Sequence, residues 1–240
     1  MTVAAMHQEF KIGLDKVDSL SHPNFLPEEI DILLNQSQEK FIKQRAYGNN
    51  PRRLGLEETQ KRLDDLKNII SNFESVTFTS TTDNKPNGVF VALPDNYMFA
   101  VEEEASINYT DCNGASSNKR IDVIPTTHDR YNKVKRDPFH KPLDVEVHRL
   151  GYELNLFGGT QTFELITGDG NLITNYYLRY LKTPVSIQYG SQYPIPIADV
   201  NCELSNHTHR EIVAMAVIEA LVDIESPSYS VNKNELNQIE

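Results

Sequence analysis

Three groups of side chains have types and spacing that could do chemistry: the pair His207 and His209, the consecutive acids Glu102, Glu103 and Glu104, and the basic run Arg130, Lys133, Lys135, Arg136 and Lys141. Two imidazoles one residue apart could hold a metal, but no spacing supplies a third ligand. The pair is therefore expected at the mouth of a helix, with one ring exposed. The triple acid offers carboxylates to a cation, and such a run is more simply a solvated strand end or loop. The basic run, with His140 beside it and Phe139 among its charges, offers phosphate contacts and one ring to stack on a base. Asp129 and Asp137 dilute it, so a charged loop that stays in water or meets an acidic partner is the simpler expectation.

The spacings that enzymes use for phosphate binding, metalloprotease chemistry, nucleophilic attack or dinucleotide binding do not occur. Gly158, Gly159, Gly168 and Gly170 read as turn glycines, since neither pair is followed by a helix start and a lysine. No cofactor and no catalytic activity are expected. An enzyme would have to assemble its site from scattered groups such as His128, His148 and nearby acids.

The elements that position these groups fall into a helical start, a strand-rich middle and a helical end. Thr208 followed by Glu211 reads as a capping box, and Ile212, Val213, Ala216, Val217, Ala220 and Leu221 follow at the helical period. Met215, Ile218 and Val222 widen that stripe until only Glu211, Glu219 and Asp223 form a polar seam. A helix apolar on nearly all sides lies in a core, a membrane or a subunit interface. It is too short and too charged to span a bilayer. Either the chain's own core covers it, or a neighbouring copy does, with Ile212, Val213, Met215, Val217, Ile218 and Leu221 as interface candidates.

At the other end, Pro27 with Glu28 and Glu29 opens a helix whose apolar face is Ile30, Leu33, Leu34, Phe41 and Ile42, and Gly48 stops it. Leu56, Leu63, Leu66, Ile70 and Phe73 mark a second helix, supported by the pairs Glu57 with Lys61 and Glu58 with Arg62. Phe10, Leu14 and Val17 suggest a shorter one that Gly13 interrupts. From Val76 the composition turns to β-branched and aromatic residues with Pro, Asn and Gly. Residues 162–167 and 172–180 read as a hairpin about Asp169-Gly170. Pro184 to Tyr189 reads as an edge strand, 88–93 and 103–110 as an earlier strand set, and Asp129 to Pro142 as a loop or crossover.

The expected fold class is α+β: a helical bundle made by N-terminal helices and a C-terminal helix, with an inserted antiparallel β-domain, sandwich or barrel-like. The expected domains are 1–75 with 201–224 for the bundle, 76–200 for the β-domain and 225–240 for an extended tail. The net charge of −11 divides as −2, −4 and −5 over residues 1–75, 76–200 and 201–240, which argues against sequence-specific nucleic-acid binding. Cys112 and Cys202 show no framework, so a reduced compartment is expected, and no segment encodes export or membrane insertion.

Several phrases carry a resemblance: Leu33-Leu-Asn-Gln-Ser-Gln-Glu-Lys-Phe, Arg52-Arg-Leu-Gly-Leu-Glu-Glu-Thr-Gln-Lys-Arg-Leu-Asp-Asp-Leu, Asp137-Pro-Phe-His-Lys-Pro, Tyr177-Leu-Arg-Tyr-Leu-Lys-Thr-Pro and Thr208-His-Arg-Glu-Ile-Val. Together they resemble head-to-tail ring proteins of tailed bacteriophages, particularly the crAss-like phages. The resemblance implies a virion structural protein, assembled in the host cytoplasm, that forms a homo-oligomeric ring, twelvefold, at the head–tail junction. It implies the portal protein and the next tail ring as partners, with genomic DNA passing through the lumen and no membrane. The tail after Ile224, with Pro227, Tyr229 and Leu236, would dock on a neighbouring ring. An alternative from another class is a tail or capsid-surface module whose β-domain recognises a glycan or receptor.

Overall fold

Pro27 and the acids that follow it open a helix as the dipole requires, and the Glu29 carboxylate accepts a hydrogen bond from the Leu26 amide at 2.8 Å. The computed structural model describes residues 1–17, 25–46, 60–80, 85–110, 114, 116–137, 139, 145–153, 161–168 and 171–223. They form two compact units: Met1–Ile69 with Pro184–Glu240, and Ile70–Thr183. The expected stop at Gly48, the residues Leu56, Glu57 and Glu58, the turn Asp169-Gly170, Gly158, Gly159 and the tail lie outside the described residues.

The first unit contains α1 (Val3–Val17), α2 (Pro27–Ala46), α3 (Gln60–Leu66) and the terminal helix, numbered α5 (His209–Asp223). Chain from both ends builds it, because α5 packs on α1 and α2. Ile30, Leu34, Phe41 and Ile42 of α2, Met6 and Phe10 of α1, and Ile212, Ala216, Ala220 and Leu221 of α5 make its buried core. Gly13 does not interrupt α1. A Cβ there would lie 2.9 Å from Val217 Cγ2, so glycine lets α1 approach α5.

We expect Gly13→Ala to lower the denaturant midpoint, despite a helix-propensity gain of about 1 kcal/mol, because overpacking of a stiff valine costs about 1–3 kcal/mol. Adding Val217→Ala should recover part of the loss. An unchanged or raised midpoint for Gly13→Ala would mean that the contact has slack.

The second helix expected from the sequence is shorter than its apolar spacing implied. α3 ends at Leu66, a 3-10 turn follows at Lys67–Ile69, and Ile70 and Phe73 belong to a strand. Phe73 packs on the core of the second unit, so sheet pairing overrides the helical spacing there. The helix α5 starts where the sequence signalled, but the capping box does not form. The Thr208 hydroxyl donates to Ser205 O, and Glu211 faces Arg45 instead.

The second unit is a seven-stranded, curled, mixed sheet: β1 (Ile70–Ser75), β2 (Gly88–Ala92), β3 (Tyr97–Thr110), β4 (Ser116–Pro125), β5 (Val147–Glu153), β6 (Gln161–Thr167) and β7 (Leu172–Lys182), in the order β1-β7-β3-β4-β5-β6-β2. The pairing of β4 with β5 is parallel and the others are antiparallel. Alternation sends Val91, Ala105, Ile107, Val147, Phe163, Leu165, Tyr176 and Leu178 into one core inside the curl. The chain is thus α+β, with helices at both ends and a β-module between them.

Three expectations about the middle are corrected. β6 and β7 are not hairpin partners, because β6 lies between β5 and β2 while β7 lies between β3 and β1. Residues 184–189 are not a strand of the sheet. They run along α2, where Asn35 gives its amide to Ile187 O at 2.9 Å and accepts from Ile187 N at 2.7 Å. The crossover between the parallel strands holds a short helix, α4 (His128–Val134), capped by the Thr127 hydroxyl and anchored by buried Tyr131 against Leu150 and Ile166. The two compact units divide at 69/70 and 183/184. β1 pairs with β7, and residues 187–189 bond to α2.

Candidate functional site

The triple acid is compensated residue by residue. Alternation along β3 turns Glu102 and Glu104 to the outer face and Glu103 to the inner one. Glu102 pairs with Arg179 at 2.9 Å, Glu104 with Arg120, and Glu103 with Arg149 at 3.0 Å. The Tyr176 hydroxyl also donates to Glu103 at 3.0 Å, and the Arg149 guanidinium lies over the Phe163 ring. Burial raises the Glu103 carboxyl above its ordinary range, against the pull of Arg149 and Tyr176. On the outer face, Arg120 covers the Tyr177 ring at 4.0 Å, and Arg120, Arg179, Glu102 and Glu104 line a shallow depression of about 300 Å³. The acids therefore balance arginines brought in from β4, β5 and β7.

The helical unit holds a buried charge network that sequence reading did not single out. Arg45 Nε meets Asp65 Oδ2 at 3.1 Å and Arg45 Nη2 meets Glu211 Oε2 at 2.6 Å, joining α2, α3 and α5. His207 Nε2 completes it at 2.7 Å from Asp65 Oδ1, and Arg45 also lies over the Phe41 ring. The available signal was Arg45 itself, four residues after Phe41 on an apolar stripe. A second cluster links α1 to α2: His7 Nε2 lies 2.7 Å from Asp31 Oδ1, while the Tyr193 hydroxyl and the Tyr189 amide donate to Asp31 Oδ2. Neither cluster presents a nucleophile beside its imidazole in the contacts described.

The histidine pair sits at the start of α5 as expected, with His207 exposed and His209 buried. His209 Nε2 donates to Leu204 O at 2.9 Å, and among the described residues no set of three possible ligands surrounds a metal position. His128 donates to Gly151 O, and His148 Nδ1 lies 3.1 Å from Thr126 Oγ1 with Glu146 3.8 Å from its other nitrogen. Burial lowers the pKa of both His148 and His209 from the ordinary imidazole value, outweighing Glu146 in the first case and Leu204 O in the second.

The sign of the pH dependence follows. A histidine held neutral in the fold takes up its proton more readily in the unfolded chain. Its contribution to stability is full above about pH 6.5 and is lost as pH falls toward the folded pKa. We expect a lower thermal midpoint at pH 5.5 than at pH 7.5, with a smaller difference in the His148→Gln, His209→Gln variant. An unaltered difference in that variant would assign the slope to other groups.

The basic run is brought to one end of the crossover. Arg130 and Lys133 lie on α4 and Lys135 and Arg136 on the turn after it, all four exposed, beside Phe139, which is 90% exposed. Lys141 and His140 lie outside the described residues. The six interface candidates all lie on α5. Ile212, Val213, Met215, Val217, Ile218 and Leu221 are at most 8% exposed within the single chain. Gly13 lets α1 approach α5 at Val217, α2 packs on α5 as well, and Val222 of its apolar residues stays exposed, at 47%.

Residues 1–233 match the family model described as phage tail ring protein 3/4. The chain belongs to the phage tail ring protein 3/4 family of crAss-like phages. It is also 26% identical to Ring protein 4/5 of Bacteroides phage crAss001, over 90% of this chain and 91% of that protein. A ring protein of this family is a structural component of the virion, and the matched span takes in both units and the Arg45 network.

Proposed function

We propose that this ring protein closes a twelvefold homo-oligomeric ring between the portal and the tail, at the head–tail junction, and surrounds the path of the genomic DNA without catalysing a reaction. The observation that carries the reading is the family match through both units, from residue 1 to residue 233. Heterologous contacts between copies close a ring when the rotation allows, and identical protomers then share one axis. The net charge of −11 suits passage of DNA without adhesion, since acidic walls repel phosphate. The exposed Arg130, Lys133, Lys135 and Arg136 are assigned to an acidic protein partner, and the tail bearing Pro227, Tyr229 and Leu236 to docking on the portal or the next ring. Extended at about 3.3 Å per residue, that tail has a reach of roughly 50 Å.

The test is the mass of the purified chain alone and mixed with its portal and the adjoining ring protein. We expect a closed assembly of many copies to form in the mixture, with or without ring formation by the chain alone. A chain that stays monomeric and ignores both partners would contradict the placement.

A further inference from the structure

Among the described residues, the sheet of the second unit ends at β1 and at β2, which Thr79 bridges at Phe90, and within the sheet β4 leaves a stretch unpaired before it meets β5. β1 pairs only with β7. β4 pairs with β3 along Ser116–Asp122 but meets β5 only from Val123 onward. Among the described residues, no backbone hydrogen bond reaches the far side of β1 or of Ser116–Asp122. Such edges are templates for another strand. Every residue from Ser116 to Arg120 is exposed, and neither stretch contains proline or glycine.

Strand direction makes these two edges a matched pair. Because β1, β7, β3 and β4 alternate, β4 runs opposite to β1. Rotation about an axis along the strands preserves direction, so β4 of one copy would meet β1 of the next in the antiparallel sense, the more stable one per residue. Charge favours this pairing over self-pairing. The Ser116–Asp122 edge carries Lys119 and Arg120 against Asp122 and is net positive, whereas β1 carries Glu74 and no basic residue and is net negative. The registers place Glu74 opposite Tyr177, Glu104 opposite both Tyr177 and Asp122, and Ser106 opposite Arg120, so Glu74 and Arg120 share the outer face.

We infer that neighbouring copies in the ring join through these edges, β4 of one beside β1 of the next, so that the four strands β1-β7-β3-β4 continue from copy to copy. The inference rests on the ring reading and supplies a head-to-tail contact for it. Unlike edges are what a ring requires, because a like-to-like contact stops at a dimer.

The test uses virions carrying the full chain with Asn72→Cys and Asp122→Cys, two outer-face positions that lie opposite each other when Glu74 faces Arg120, and with Cys112→Ser so that the remaining native thiol is buried Cys202. A bismaleimide long enough to absorb a two-residue slip, about 7 Å, is added to intact particles. The expected result is a ladder of covalent multimers of the chain, absent from either single-cysteine chain. Chain that stays uncrosslinked in intact particles overturns the edge pairing. If the cysteine chain does not enter particles, charge exchange decides: Glu74→Arg and Arg120→Glu should each reduce incorporation and should restore it together. A double variant no better than the singles overturns the proposal. Absence of the wild-type chain from virions would instead sink the ring reading and, with it, this contact.

Discussion

Replacing Arg45 with methionine is expected to lower the thermal unfolding midpoint of the chain by about 6–20 °C. Arg45 and Asp65 are both almost wholly buried, and Arg45 also serves Glu211, so its removal leaves Asp65 to the exposed His207 and Glu211 to the more distant Lys61. Breaking a buried pair by deleting one partner costs about 3–5 kcal/mol, and a domain of about 150–250 residues loses about 2–4 °C per kcal/mol. Arg45→Lys should recover little, because one ammonium cannot reproduce the two-sided guanidinium contact or its place over Phe41. Differential scanning calorimetry reads the shift directly. A change below about 2 °C would mean that the network is loosely solvated, and its role in tying α2, α3 and α5 together would fall.

A second large effect is expected from Val217→Asp, which places a carboxylate against Gly13 of α1 with no cation described beside it. An unpaired buried charge costs several kcal/mol, enough to unfold a marginal domain. The variant should therefore be lost from the soluble fraction. Val222→Asp, at a position 47% exposed, should change stability by at most about 0.5 kcal/mol. The pair separates two views of α5. A Val217→Asp chain that folds like wild type but fails to form rings would restore α5 as a subunit interface.

The two helices that define the first unit were legible because their signals are local. Pro27 with two acids sets the start of α2, and the run from Ile212 to Leu221 has no reading other than helix. What covers α5 was not legible. Periodicity reports how much surface is apolar, whereas cover depends on how closely neighbours approach, as Gly13 lets α1 do at Val217. The same distinction explains the strands. Residues 162–167 and 172–180 were readable as strands, yet a Gly-rich turn between them argued for a hairpin that the sheet order rejects. Pairing is settled by long-range competition for edges, and β2, β5, β1 and β3 win it. The triple acid shows the limit in charge terms. Its meaning depends on Arg120, Arg149 and Arg179, which register brings beside it from strands remote in sequence.

Copies of this chain are proposed to surround the axis of the particle as a ring. Imaging the virion at subunit resolution tests it most directly. The expected density shows both units repeated around the axis between portal and tail, with α5 enclosed inside each protomer and contacts between copies made elsewhere. Isolated copies on the outside of the capsid or tail, with no rotational repeat about the axis, would contradict it.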